Sequence, residues 1–303
     1  MSAGENQGAG AVHGARADQG GLWRAAWRRL RARRSTIIAA SILGVIVAAA
    51  LLVPLLSPYD YAAPVWARIF TPPTLRGGQL FGTDGLGRDL LVRVMWGCRI
   101  SLLVGIAASL ISVAIGVLWG ATAGYLGGRT DGWLMRTVDV LYSIPFIPFV
   151  IVLEVLFGRN FLLVFVAIGA ISWLDIARVV RGQTLAIRVQ DFIEAARALG
   201  VRTPAMIWRH LLPNLIGLVA VYATLTIPGV ILSEALLSFL GLGVQAPLAS
   251  LGSLVADGAN EMQANPHVLI FPAAFLAAII LCLNRLGDAL RDALDPRHGP
   301  GHD

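Results

Sequence analysis

Six stretches of about twenty predominantly apolar residues dominate this chain, and a water-soluble fold has no room to bury them all. They cover residues 37–56, 100–125, 133–157, 161–180, 215–240 and 268–286. As helices, each is long enough to cross a hydrocarbon layer of about 30 Å. Each is too long and too continuously apolar for a barrel strand. Inside lipid the backbone must satisfy its own hydrogen bonds, and a helix does so within one segment. The expected fold class is therefore an all-α membrane protein with six transmembrane helices. Composition agrees: 56% of the 303 residues are hydrophobic and 14% are charged, with a mean hydropathy of +0.72. The first run exceeds a signal-peptide core, and no convincing small-residue cleavage pattern follows it, so it is expected to stay as an anchor.

Charge sets the expected orientation. The 24 basic residues are all arginine, and the pI is about 10.1. With both termini inside, eighteen arginines fall on cytoplasmic segments and six on the outside. That split follows the positive-inside rule, which explains the basic pI without nucleic-acid binding. The lack of lysine has a second consequence. A Walker A loop needs one, so any ATPase must be another polypeptide. Cys98 and Cys282 are isolated and give no disulfide framework or metal spacing.

Between the runs the chain is organised. Residues 1–22 are polar and aperiodic, and disorder is expected there. Trp23, Trp27 and Leu30 then lie at helical spacing among arginines. This predicts a short basic helix on the membrane surface, touching membrane lipid, within a tail of residues 1–34. Residues 35–99 hold the first span and an outer segment. Residues 100–290 hold the other five spans, with a polar loop at 190–213, and residues 291–303 form a second cytoplasmic tail. Charges at membrane depth are costly and often functional. Asp175 and Arg178 are expected to pair on one helix face. Glu154 and Glu234 are candidates for lining a wet pathway, or for helix-to-helix hydrogen bonds. Pro145, Pro148 and the Pro228–Gly229 pair are expected to kink their spans. No catalytic or metal-binding constellation stands out, so no enzyme chemistry is expected.

The polar loop between the fourth and fifth runs reads DFIEAARALGVRTPAMIWRHLLP. Asp191 and Glu194 have capping-box spacing, which starts a short helix that Gly200 stops. Thr203 as N-cap and Pro204 in the first turn start a second. Pro213 precedes the next span. Two short helices joined at a glycine form a rigid knob that a partner protein can grip, although an ordinary interfacial hairpin has the same outline. Earlier, residues 82–89 read GTDGLGRD. Its glycines permit a tight turn, and Asp89 can cap the following helix.

Glu194-Ala195-Ala196, three residues, Gly200, nine residues and His210-Leu211-Leu212-Pro213 resemble the EAA loop of ABC importer permeases. His210 stands where that pattern usually has Ile. The GTDGLGRD stretch resembles the start of peptide and nickel importer permeases. Residues 157–163 and 172–183 resemble the oligopeptide branch, and residues 238–243 and 287–297 are similar to the same family pattern.

The resemblance implies a type I ABC importer permease (MetI-like) fold, with an extracytoplasmic segment after the first helix. It implies a bacterial plasma membrane location and oligopeptide translocation. A second homologous permease subunit, two ATPase subunits that bind ATP and Mg, and an extracytoplasmic peptide-binding protein would complete the assembly. No cofactor is implied in this chain. The implied coupling residues are Asp191, Glu194, Ala195, Ala196, Gly200, His210, Leu212 and Pro213. A dipeptide or nickel permease is the alternative within the family. A self-sufficient secondary transporter is the alternative outside it; such carriers often show two similar halves, and none is convincing here.

Overall fold

The computed structural model describes residues 19–75, 78–158 and 160–294. The chain runs through α1 (Gln19–Ala32), α2 (Arg34–Leu56), α3 (Leu90–Leu126), α4 (Gly128–Tyr142), α5 (Phe146–Phe157) and α6 (Phe161–Ile187). It continues with α7 (Asp191–Ala198), α8 (Thr203–Met206), α9 (Leu212–Phe239), α10 (Leu251–Asn260) and α11 (Pro266–Leu294). Among the described residues five helices are long and apolar enough to cross a membrane, or six if the bent pair α4–α5 is one span. Among the described residues the β contribution is two isolated bridges, both in the segment before α3.

The third apolar run is therefore not the single kinked span expected. It is two helices meeting at 82°. Pro145 has no N–H to continue the ladder and biases Ile144 away from helical geometry, so α4 ends at Tyr142 and α5 restarts after the proline. Pro228, by contrast, stays inside continuous α9. The expected Asp175–Arg178 pair also gives way. Arg178 reaches across to Asp139 on α4 at 2.9 Å, and Arg181 grips Asp131 with two bonds of 2.5 and 2.6 Å. Tertiary partners displaced the local one, and they clamp α4 onto α6. The predicted short basic helix is present as α1. It starts earlier than expected, because residues 19–22 are helical; residues 1–18 of the expected disordered stretch lie outside the described residues.

Helix α3 is the hub. Its first half packs with α2, α10 and α11, and its second half with α6, α7 and α9. Gly116, Gly120 and Gly124 repeat every four residues and face α6. A Cβ at Gly120 would sit 2.4 Å from the Ala177 carbonyl, so this stripe sets how closely the two backbones approach. Proline creates the link between α2 and α3. Pro54 cannot donate to the Ala50 carbonyl, and the Arg99 guanidinium takes that oxygen and the neighbouring Leu51 oxygen.

The segment before α3 is a compact cap on one end of the bundle. Asp84 is its centre. Its Oδ1 accepts from the Leu86 and Arg88 backbone N–H groups at 2.9 and 3.0 Å. Its Oδ2 accepts from Arg88 Nε at 2.8 Å and from Arg93 on α3. Gly87, at φ +71, turns so close to the Val65 carbonyl that no side chain fits. Asp89 caps α3 as predicted, accepting from Val92 N–H at 2.9 Å. Burial pushes its carboxyl above the usual range. Phe81 stacks on Phe271 at 4.0 Å and so fastens the cap to α11.

Candidate coupling site

At the opposite end from the cap, α6 runs into α7. The chain enters α7 extended at Gln190, which is the N-cap residue and makes no side-chain capping bond. Asp191 is therefore the first helical residue and not the cap, and the expected capping box does not form. Asp191 and Glu194 still lie in the first turn, where carboxylates favour the positive end of the helix dipole. The stop is as expected. Gly200 takes φ +77, Gly200 N–H donates to Arg197 O at 3.0 Å, and Val201 N–H donates to Ala196 O at 3.2 Å. This is a Schellman ending.

The second short helix of the expected knob is not separate. Arg202 is the N-cap residue and Thr203 is already helical. From Thr203 the helix continues without interruption to Phe239, passing through a π turn at Ile207–Leu211. Pro213 accounts for that turn. In a regular helix its ring would strike the Arg209 carbonyl; the wider turn, with Leu212 N–H donating to Ile207 O, makes room. His210, Leu212 and Pro213 thus belong to the root of the fifth span, where all three are half-buried. The site is one short helix braced against that root.

The bracing is apolar. Ile193 is fully buried and Ala196 nearly so, packed with Met206, Leu211 and Leu215 below them. Burying Ile193 is worth roughly 2–3 kcal/mol. Arg197 lies 5.8 Å over the Tyr125 ring and ties α7 to the end of α3. Glu194 and Ala195 are exposed, whereas Ala196 faces the chain's own core. The two alanines of the motif thus face opposite ways: one lets α7 sit close to its support, the other leaves the outer face low.

That outer face holds residues the sequence reading did not single out. Val189, Phe192 and Leu199 project outward around Ala195, with Leu199 85% and Phe192 41% exposed. The signal was present. Apolar residues on both sides of an eight-residue helix are one stripe more than its own support uses.

The pathway candidates lie elsewhere. Glu154 is half-buried on α5. Glu234 on α9 has no exposed surface. Its carboxylate accepts from Ser238 Oγ at 2.7 Å and Ser101 Oγ at 3.2 Å. Ser238 is 3.3 Å from Ser250, and Ser101 accepts from the Leu251 N–H at 3.0 Å. The cluster joins α3, α9 and the start of α10. Replacing Glu234 by Ala removes the shared acceptor and is expected to cost about 1–3 kcal/mol. Hydrogen exchange of the Leu251–Asn260 amides should quicken roughly five- to hundredfold, and Glu234→Gln should show a smaller change. Unchanged exchange in Glu234→Ala would remove the cluster's role in holding α10.

Comparison with known proteins supplies the family. Residues 116–299 match the family described as binding-protein-dependent transport system inner membrane component. Residues 21–73 match the N-terminal TM domain of oligopeptide transport permease C. The oligopeptide transport system permease protein OppC of Haemophilus influenzae is 50% identical over 91% of this chain and 89% of its own length. OppC of Escherichia coli K12 is 50% identical over 91% of each chain. The dipeptide transport system permease protein DppC of Bacillus subtilis is 41% identical over 90% of this chain and 85% of its own. Among solved structures, a chain of the MetNI methionine ABC transporter in inward-facing form superposes with a TM-score of 0.53 at 22% identity. It covers 66% of this chain and 96% of that one, which supports the type I importer permease fold. The chain is a multi-pass membrane protein, and it belongs to the family of inner membrane components of binding-protein-dependent transport systems, among the oligopeptide transport permeases.

Proposed function

We propose that this chain is one of two different permease subunits that form the peptide pathway of an ATP-driven oligopeptide importer in the bacterial plasma membrane. Its α7 docks into one of two separate ATPase subunits, which bind ATP and Mg. A peptide-binding protein delivers cargo at the cap end, and both termini face the cytoplasm. Glu154 on α5 is read as facing the pathway. The observation that carries the reading is the outer face of α7: an apolar patch on a helix too short to stand alone, braced from below and ended by a left-handed glycine. The arginine distribution supports the orientation. The absence of lysine supports a separate ATPase.

Gly200→Val tests it. No atom would meet the new Cβ within 4 Å, so the effect is confined to the backbone. A β-branched residue at φ +77 is strained by roughly 1–2 kcal/mol, which loosens the end of α7. The variant is expected to insert normally, to co-purify several-fold less ATPase from membranes, and to lose peptide uptake. In the same preparations, a membrane-impermeant thiol reagent should reach a cysteine placed at Leu199 in inside-out vesicles only. Normal ATPase association with normal uptake, or labelling from the outside, would refute the assignment.

A further inference from the structure

The last turns of α11 and the first turn of α2 enclose a polar cleft of about 370 Å³ at the same end of the bundle as α7. Arg33, Ser35 and Thr36 line one side, and Arg285, Asp288 and Arg291 the other. Asp292 closes it, paired with Arg33 at 2.5 Å. Asp292 is thereby neutralised. Arg285 and Arg291 are exposed and form no ion pair among the described residues, and with Asp288 as the one further carboxylate in the lining the cleft keeps a net positive charge next to two hydroxyls.

The surroundings say what kind of anion fits. Ile37 and Ile38, directly after the cleft on α2, are exposed, as is Leu281 one turn before Arg285 on α11. The cleft therefore opens where the bare apolar flank of two spans begins. Helix α1 lies beside it: Arg29 donates to the Ala293 carbonyl at 3.3 Å, Trp27 is exposed, and Arg31 sits 4.7 Å over the Trp27 ring. Further arginines at 24 and 28 on α1 and at 34 on α2 are exposed. A soluble anion has no use for an apolar wall below the charge. A lipid has its phosphate at that depth and its chains along that wall.

We propose that this cleft is a binding site for an acidic phospholipid. Its phosphodiester lies between Arg285, Arg291 and the Ser35 and Thr36 hydroxyls, and its acyl chains run along Ile37, Ile38 and Leu281. Basic clefts between helices at a membrane face have the chemistry for such headgroups, at about tenfold or less in affinity per arginine. The site would anchor α1 and the end of α11 to the bilayer through a specific lipid in addition to surface charge.

Native mass spectrometry of the purified chain, titrated with phosphatidylglycerol, tests this. The Arg285→Ala/Arg291→Ala pair is expected to weaken lipid retention roughly ten- to thirty-fold. The Lys pair at the same positions should stay within about threefold of wild type, since the charge remains. Arg129→Ala/Arg136→Ala on α4 should change nothing. Ser35→Asp, at an exposed position, should give a similar loss by repulsion and serves if the alanine pair does not fold. Wild-type retention in both Arg285→Ala/Arg291→Ala and Ser35→Asp would overturn the proposal. So would phosphatidylcholine binding as tightly as phosphatidylglycerol, or displacement of the lipid by glycerol phosphate or inorganic phosphate at equal concentration, which would mark a site for free phosphate.

Discussion

Asp84→Ala is expected to release the cap from the bundle. The substitution deletes the acceptor for two arginines that are themselves buried, Arg88 and Arg93, and for two backbone N–H groups. Breaking a buried ion pair from one side leaves an uncompensated charge, at about 3–5 kcal/mol. The Asp84 backbone bonds survive the substitution, its carbonyl accepting from Phe70 and Gly87 N–H and its N–H donating to Arg88 O, and they are all that is left to hold the turn. The loss is local to the segment before α3, because the apolar bundle does not depend on it. Amides of residues 65–90 should therefore exchange far faster, by a factor on the order of a hundred or more, while those in the middle of α3 and α6 stay protected. Arg88→Ala should be milder, since Arg93 then keeps Asp84 as a partner. Wild-type protection of residues 65–90 in Asp84→Ala would show that the turn stands on its backbone bonds alone.

The pattern of what the sequence disclosed follows from the range of the forces involved. Spans were legible because hydropathy over twenty residues is a one-dimensional signal, and the bilayer imposes the length. The helix start at Asp89 and the stop at Gly200 were legible because caps are local chemistry. The break at Pro145 was legible as a proline, but not as an 82° turn, since the angle depends on Arg178 and Arg181 holding α4 against α6 from a distance of forty to fifty residues in sequence. The ion pair read as Asp175–Arg178 failed for the same reason. Helix α10 was missed, although Ser250 and Ser253 form a reciprocal capping box just as a sequence can announce one. It is short and mixed in composition, and what holds it is Glu234, a residue on another helix. At the coupling site the motif marked the position correctly. It drew attention to the residues that shape α7 and away from Phe192 and Leu199, which it leaves bare.

Leu199→Glu combined with Phe192→Glu is expected to abolish peptide uptake while leaving the permease folded. The exposure of these two side chains gives the prediction its force. Leu199, at 85% exposed, contributes little to the chain's own stability, so its replacement has almost nothing to unfold. If α7 enters an apolar cleft of an ATPase subunit, two carboxylates placed there must be desolvated on docking. An interface anchor lost in this way costs about 2–4 kcal/mol, or roughly thirty- to thousand-fold in affinity. Each protein then behaves normally by itself: the permease inserts and melts as wild type, and the ATPase hydrolyses its basal ATP. What disappears is co-purification and the stimulation of hydrolysis by peptide. Ile193→Ala provides the contrast. It removes the buried brace and leaves the outer face chemically intact, so it should lower the melting temperature as well as uptake. A double glutamate variant that transports peptide normally would show that Phe192 and Leu199 touch no partner. The apolar patch would then need another explanation, and the coupling role would have to move to the exposed carboxylates of Asp191 and Glu194.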